Sequence, residues 1–64
     1  MKVTINNKEQ QMEDGMVVAE LLKMRNMRRA AVWINGVQLL SAEYESRKIQ
    51  EGDEIRLLRI MAGG

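Results

Sequence analysis

Three observations place this chain in the α+β class, as a roll in which a mixed sheet of four to five strands carries one main helix on one face. Two hairpin-like stretches alternate apolar and polar residues around asparagine-containing turns, Asn6-Asn7 and Asn35-Gly36. A single segment, from Val18 to Arg25, has helical spacing instead. A closing run from Glu54 to Met61 alternates again and supplies a last strand. One helix is available for one sheet face, so the other face should stay open. Residues 1–64 read as one domain with a flexible C-terminal tail at 61–64, and no repeat, linker or low-complexity tract interrupts them.

The elements follow in order. Lys2-Val3-Thr4-Ile5 alternates, Asn6-Asn7 tolerates left-handed backbone, and Glu9-Gln10-Gln11-Met12 runs back, which makes an opening hairpin. Asp14-Gly15 breaks the pattern. Val18, Leu21 and Leu22, with Arg25 one turn further, fall at i, i+3, i+4 and i+7, so a short helix presents one apolar stripe and ends near Asn26 to Arg29. Ala31-Val32-Trp33-Ile34 is the most strand-like run of the chain. Asn35-Gly36 is the strongest two-residue hairpin signal, and it pairs that strand with Val37-Gln38-Leu39-Leu40. Ser41 to Lys48 lacks a clean period and reads as a loop with a helical turn, Tyr44 packing its ring on the body. After the tight turn Glu51-Gly52-Asp53, Ile55 and Leu57 face one side of the last strand while Arg56, Leu58 and Ile60 face the other. The expected core includes Val3, Ile5, Leu21, Ile34 and Ile55.

Composition narrows the function classes. A chain of 64 residues buries only about 60% of its unfolded surface, so function belongs on a surface or a tail rather than in a deep cavity. Apolar residues at 45% and charged residues at 30% fit a folding globular domain. The absence of Cys removes disulfides and thiolate metal sites and is compatible with a reducing cytoplasm, and the absence of His removes the commonest general base. A net charge of +1 exerts little pull on nucleic acid. Arg25, Arg28 and Arg29 read as a solvated helix end, where cations suit the dipole, rather than as a phosphate patch. The longest apolar run, Ala30 to Ile34, is too short for a signal segment or a membrane span, so a soluble cytoplasmic protein is expected.

Side-chain catalysis has little to work with. Glu43, Glu45, Glu51, Asp53 and Glu54 sit in expected exposed turns without a device for shifting a pKa, and Met12, Met16, Met24 and Met27 read as flexible core filler. The chain does end in Met61-Ala62-Gly63-Gly64. Two residues without Cβ can thread a channel too narrow for side chains. The four residues after Ile60 extend by roughly 13 Å at about 3.3 Å each, enough to carry the terminal carboxylate into another protein's active site. A disordered terminus is the plainer alternative. On the open face, Trp33, Leu58 and Ile60 are candidate anchors for that partner, although a lone Trp on a strand can equally pack under a loop.

The order of elements, together with Val18-Ala19-Glu20-Leu21-Leu22, Ile34-Asn35-Gly36, Glu51-Gly52-Asp53 and the terminal Gly63-Gly64, resembles the ubiquitin-like β-grasp sulfur carriers, most closely the ThiS family within the ThiS/MoaD superfamily. The resemblance covers essentially the whole chain. It departs at Val17, where Thr is frequent, at Leu40, where a Pro commonly follows the fourth strand, and at Trp33, which is larger than the usual residue.

This resemblance implies a β-grasp fold and a carrier acted on by partner enzymes rather than an enzyme. A partner adenylyltransferase (ThiF-like) would activate the Gly64 carboxylate with ATP and magnesium, neither bound by this chain, while Ala62 and Gly63 serve tail recognition. A sulfur donor would then displace AMP to leave a thiocarboxylate, and a thiazole synthase (ThiG-like) would take the sulfur for thiamine. Within the class, a molybdopterin synthase small subunit or an amino-acid-biosynthesis carrier would share the tail. Outside it, a ubiquitin-like protein modifier or a noncatalytic binding module are the alternatives. No nucleic acid or membrane is expected as a partner.

Overall fold

The structure is a computed structural model and describes residues 1–27 and 29–60. Its strands are β1 (Lys2–Ile5), β2 (Lys8–Gln11), β3 (Ala30–Ile34), β4 (Val37–Gln38) and β5 (Glu54–Arg59), with helix α1 (Val18–Met24) between β2 and β3. A 3₁₀ turn, Ser41–Glu43, lies between β4 and β5. The five strands form one mixed sheet in the order β2-β1-β5-β3-β4. The central strand β5 runs parallel to β1 and antiparallel to β3.

The turn chemistry anticipated from asparagine is present. Asn6 and Asn7 take φ of 50° and 70°, and Asn35 and Gly36 take 53° and 83°, the left-handed pairs that suit the twist of a two-residue hairpin. The Asn6 side chain does more than turn. Its Nδ2 donates to the Leu57 carbonyl at 3.2 Å, and its Oδ1 accepts from the Leu57 amide at 2.8 Å. The carboxamide thereby stands in for the next β1 peptide and closes the edge of β5 where β1 stops.

Helix α1 is short, and its ends are built to compensate. Glu20 reaches back to accept the Val17 amide at 3.0 Å, one half of a capping box. At the other end Asn26, with φ of 57°, allows its own amide to reach the Lys23 carbonyl and the Met27 amide to reach the Leu22 carbonyl at 2.9 Å. This is a Schellman closure with Asn in the place more often held by Gly. The helix ends at Met24, before the expected Asn26, because this closure consumes the last carbonyls.

Val18, Leu21 and Leu22 meet Val3, Ile5, Val32, Ile34, Ile55 and Leu57 from the inner sheet face, all buried, with Ala30, Leu39 and Ile49 completing the core. Tyr44 packs on this core and donates its hydroxyl to the Ala30 carbonyl at 2.8 Å. The five core residues expected from alternation are all inside.

Four expectations need correction. The strand after Asn35-Gly36 pairs only over Val37–Gln38. Leu39 still donates to the Val32 carbonyl and is buried, but Leu40 swings out, its amide turned toward Glu43 Oε1 at the 3₁₀ turn. The last strand ends at Arg59 rather than Met61, with the Ile60 amide continuing to the Arg29 carbonyl, and Met61 lies outside the described residues. Met24 is exposed at 69%, whereas Met12, Met16 and Met27 do pack on the core.

Asp53 is the fourth correction: it is not an exposed turn carboxylate but 5% accessible. Its Oδ2 accepts the Gln50 amide at 2.8 Å and its Oδ1 accepts Asn35 Nδ2 at 3.1 Å, while Asn35 Oδ1 accepts the Glu54 amide at 3.0 Å. A carboxylate this deep is tolerable only when its oxygens are satisfied, and here two amide donors satisfy them. The result is a polar latch that ties the β3–β4 turn to the start of β5.

Candidate partner-docking face and tail

The sheet has two unlike faces. The inner one is covered by α1 and the 3₁₀ segment, and the outer one carries every second residue of the strands: Thr4, Ala31, Trp33, Glu54, Arg56 and Leu58. Register sets their neighbours. Trp33 stands opposite Arg56 across β3 and β5, and Ala31 stands opposite Leu58. Period-two alternation along β5 therefore lines up Glu54, Arg56, Leu58 and Ile60 toward the chain terminus.

An open groove crosses this face beside the two left-handed turns, lined by Asn6, Asn7, Trp33, Gly36, Glu54, Arg56 and Leu58. Two local causes shape it. Strand β1 ends at Ile5 with the Asn6 carboxamide as its stop, and the small Gly36 at the other turn leaves the flank of Trp33 uncovered. Trp33 is half-buried. It stands on the outer face opposite Arg56 and is not among the buried core residues.

Beyond the groove the surface turns apolar toward the tail. Leu58 is 59% exposed and Ile60 52%, and a second hollow, which takes in Ile60 but not Leu58, runs from Ala31 past Leu40 to Tyr44 at the 3₁₀ segment. Leu40, 70% exposed, extends the apolar surface at the β4 edge, whereas the exposed Val37 stands opposite the buried Ile34 and so belongs to the inner side of the sheet. Sequence reasoning missed Leu40 as a surface residue. The signal was available, since Leu39 and Leu40 are consecutive and a period of two cannot turn both inward.

An exposed apolar patch on a small domain marks an interaction site more often than chance surface. Arg56, Glu54 and Arg29 flank it with charge of both signs, the polar rim that such patches carry. The remaining candidates, Ala62, Gly63 and Gly64, lie outside the described residues, and so does Arg28. Arg25, half-buried, stands at the α1 end and Arg29, exposed, at the β3 start, and neither lines the groove. Among the described residues no buried side-chain nitrogen or oxygen lacks a hydrogen-bond partner, so Asp53 is fully engaged in the latch. None of their helices is long and apolar enough to cross a membrane.

Comparison with known proteins agrees with this architecture. The ThiS family model matches residues 2–64. The crystal structure of the thiamine biosynthesis protein ThiS from Geobacter metallireducens superposes with a TM-score of 0.83 at 26% identity, covering all of both chains. An NMR solution structure of a thiamine biosynthesis protein from the same organism gives 0.81 at 26% identity, covering all of this chain and 88% of that one. No curated protein matches the chain.

Proposed function

Because this chain belongs to the ThiS family of ubiquitin-like sulfur carriers, we propose that it carries sulfur on its own C-terminal carboxylate and delivers it to the thiazole of thiamine. The observation that supports this most directly is that the family match runs through to Gly64 and so includes the diglycine end. The chemistry follows from what a carboxylate lacks. It is a poor acyl electrophile, so a partner adenylyltransferase first joins the Gly64 carboxylate to the adenylyl group of ATP, releasing pyrophosphate. The mixed anhydride is then open to attack by sulfide delivered by a sulfur donor. AMP leaves, and sulfur remains as a thiocarboxylate that is nucleophilic yet covalently held.

The carrier's part is position and recognition. Trp33, Leu58 and Ile60 give the adenylyltransferase, and later the thiazole synthase, an apolar footing with Arg56 and Glu54 as polar register marks. Ala62, Gly63 and Gly64 supply a tail slim enough for a narrow channel. Magnesium and ATP belong to the partner, where the metal would offset phosphate charge.

Incubation of the chain with the adenylyltransferase, ATP, magnesium and a sulfur source, followed by intact mass, tests the reading. The expected product is the free thiocarboxylate. A lysine conjugate would mark a protein modifier instead, and an unchanged mass would mark a binding module whose diglycine is incidental.

A further inference from the structure

We propose that Asn35-Gly36 is a covalent modification site, a deamidation site restrained by Asp53, whose conversion opens the latch on the β3–β4 turn and alters the docking groove. Succinimide formation requires the backbone nitrogen of the following residue to reach the Asn side-chain Cγ. Gly36 offers no Cβ to hinder that approach, whereas Asn6, Asn7 and Asn26 are followed by Asn7, Lys8 and Met27. In the reaction the Gly36 nitrogen bonds to Asn35 Cγ and loses its proton, the Cγ–Nδ2 bond breaks, and ammonia leaves. Water then opens the ring at either carbonyl, giving aspartate or the isoaspartate in which the main chain runs through Cβ.

The latch opposes the first step. Asn35 Nδ2 is held on Asp53 Oδ1 and Asn35 Oδ1 on the Glu54 amide, so the carboxamide must leave two hydrogen bonds before Cγ can turn to the Gly36 nitrogen. The same contacts make the product disruptive. Aspartate at position 35 presents an oxygen, not a donor, to an Asp53 carboxylate that is 5% accessible, and two acceptors with like charge face each other in place of a hydrogen bond. Gly36, Glu54 and Trp33 line one groove, so a shift of this turn reaches the docking face directly. Loss of ammonia makes the step irreversible.

The inference stands on the free chain and needs no partner, so its test is independent of the sulfur-carrier reading. Peptide mapping of the full chain, aged at neutral pH with and without urea, follows conversion at each asparagine. Folded protein should convert Asn35 more slowly than protein in urea. Asp53→Asn retains the shape but cannot accept from both Asn35 and Gln50, and should convert Asn35 about tenfold faster, the rise in open population that loss of one charge-assisted hydrogen bond allows. Asn35→Asp, the direct product, should lower the melting temperature and shift the emission of Trp33, the only tryptophan. Equal rates at Asn35 in folded and urea-treated protein would overturn the proposal, as would an Asn35→Asp protein with unchanged melting and emission. Should Asp53→Asn fail to fold, the urea comparison and Asn35→Asp still decide.

Discussion

Trp33 shows what a single side chain can decide on a sheet this small. It sits on the outer face opposite Arg56, half-buried, with the exposed Leu58 one register step away. If the outer face is the proposed docking surface, truncating Trp33 removes contact area with the partner, whereas it removes little from a core that lies on the opposite face. Trp33→Ala and Leu58→Asp are each expected to weaken adenylyltransferase binding by about 1 to 2 kcal/mol with little change in melting temperature, measured by titration calorimetry and thermal denaturation. A large thermal loss with normal affinity would assign Trp33 to the fold instead. Gly64 operates at the same scale by a different route. Deleting it, or adding one residue after it, moves the reactive carboxylate without touching Val3, Ile5, Leu21, Ile34 or Ile55, so acyl-adenylate formation should vanish while circular dichroism stays native. Gly63→Val should also impair activation, since it adds a β-branched side chain to the tail.

Among the elements, α1 has the least margin. Seven residues are too few for a helix to stand alone in water, so its stability is borrowed from Val18, Leu21 and Leu22 packing on the sheet. Leu21 is 2% accessible and belongs to the same buried cluster as Ile5 and Ile55. Leu21→Ala should therefore cost about 2 to 5 kcal/mol in a denaturant titration, the range for a buried leucine that leaves a cavity. Such a loss is a large share of the stability a domain of this size holds. Strand β5 is the counterpart: central in the sheet, paired to β3 along its whole length and to β1 at its start, it is the anchor from which the tail departs.

For the whole molecule, the arrangement is a one-sided sheet whose bare face carries an apolar strip toward the end of the chain. That layout suits repeated docking on successive enzymes, and it leaves the choice of pathway to the surface rather than to the diglycine. A thiocarboxylate form of the chain should supply sulfur to thiazole synthase and restore growth of a carrier-deficient strain without added thiamine. If it instead formed a stable complex with the large molybdopterin synthase subunit, converted the pterin precursor and gave no thiamine rescue, the assignment of pathway would pass to that cofactor.

The sequence alone determined the order of the elements, the two left-handed turns, the inward residues of β1, β3 and β5, the apolar stripe of α1 and the outward placement of Leu58 and Ile60. These are legible because they depend on periods of two and 3.6 residues, which report where each Cβ points, and on asparagine and glycine, which report where φ turns positive. Tertiary structure alone decided the rest. Asp53 reads as a turn carboxylate until Asn35, 18 residues away, is brought to it, and Asn6 reads as a turn residue until its carboxamide meets Leu57 across 51 residues. Burial is a property of what arrives from elsewhere in the chain, and local pattern carries no record of it.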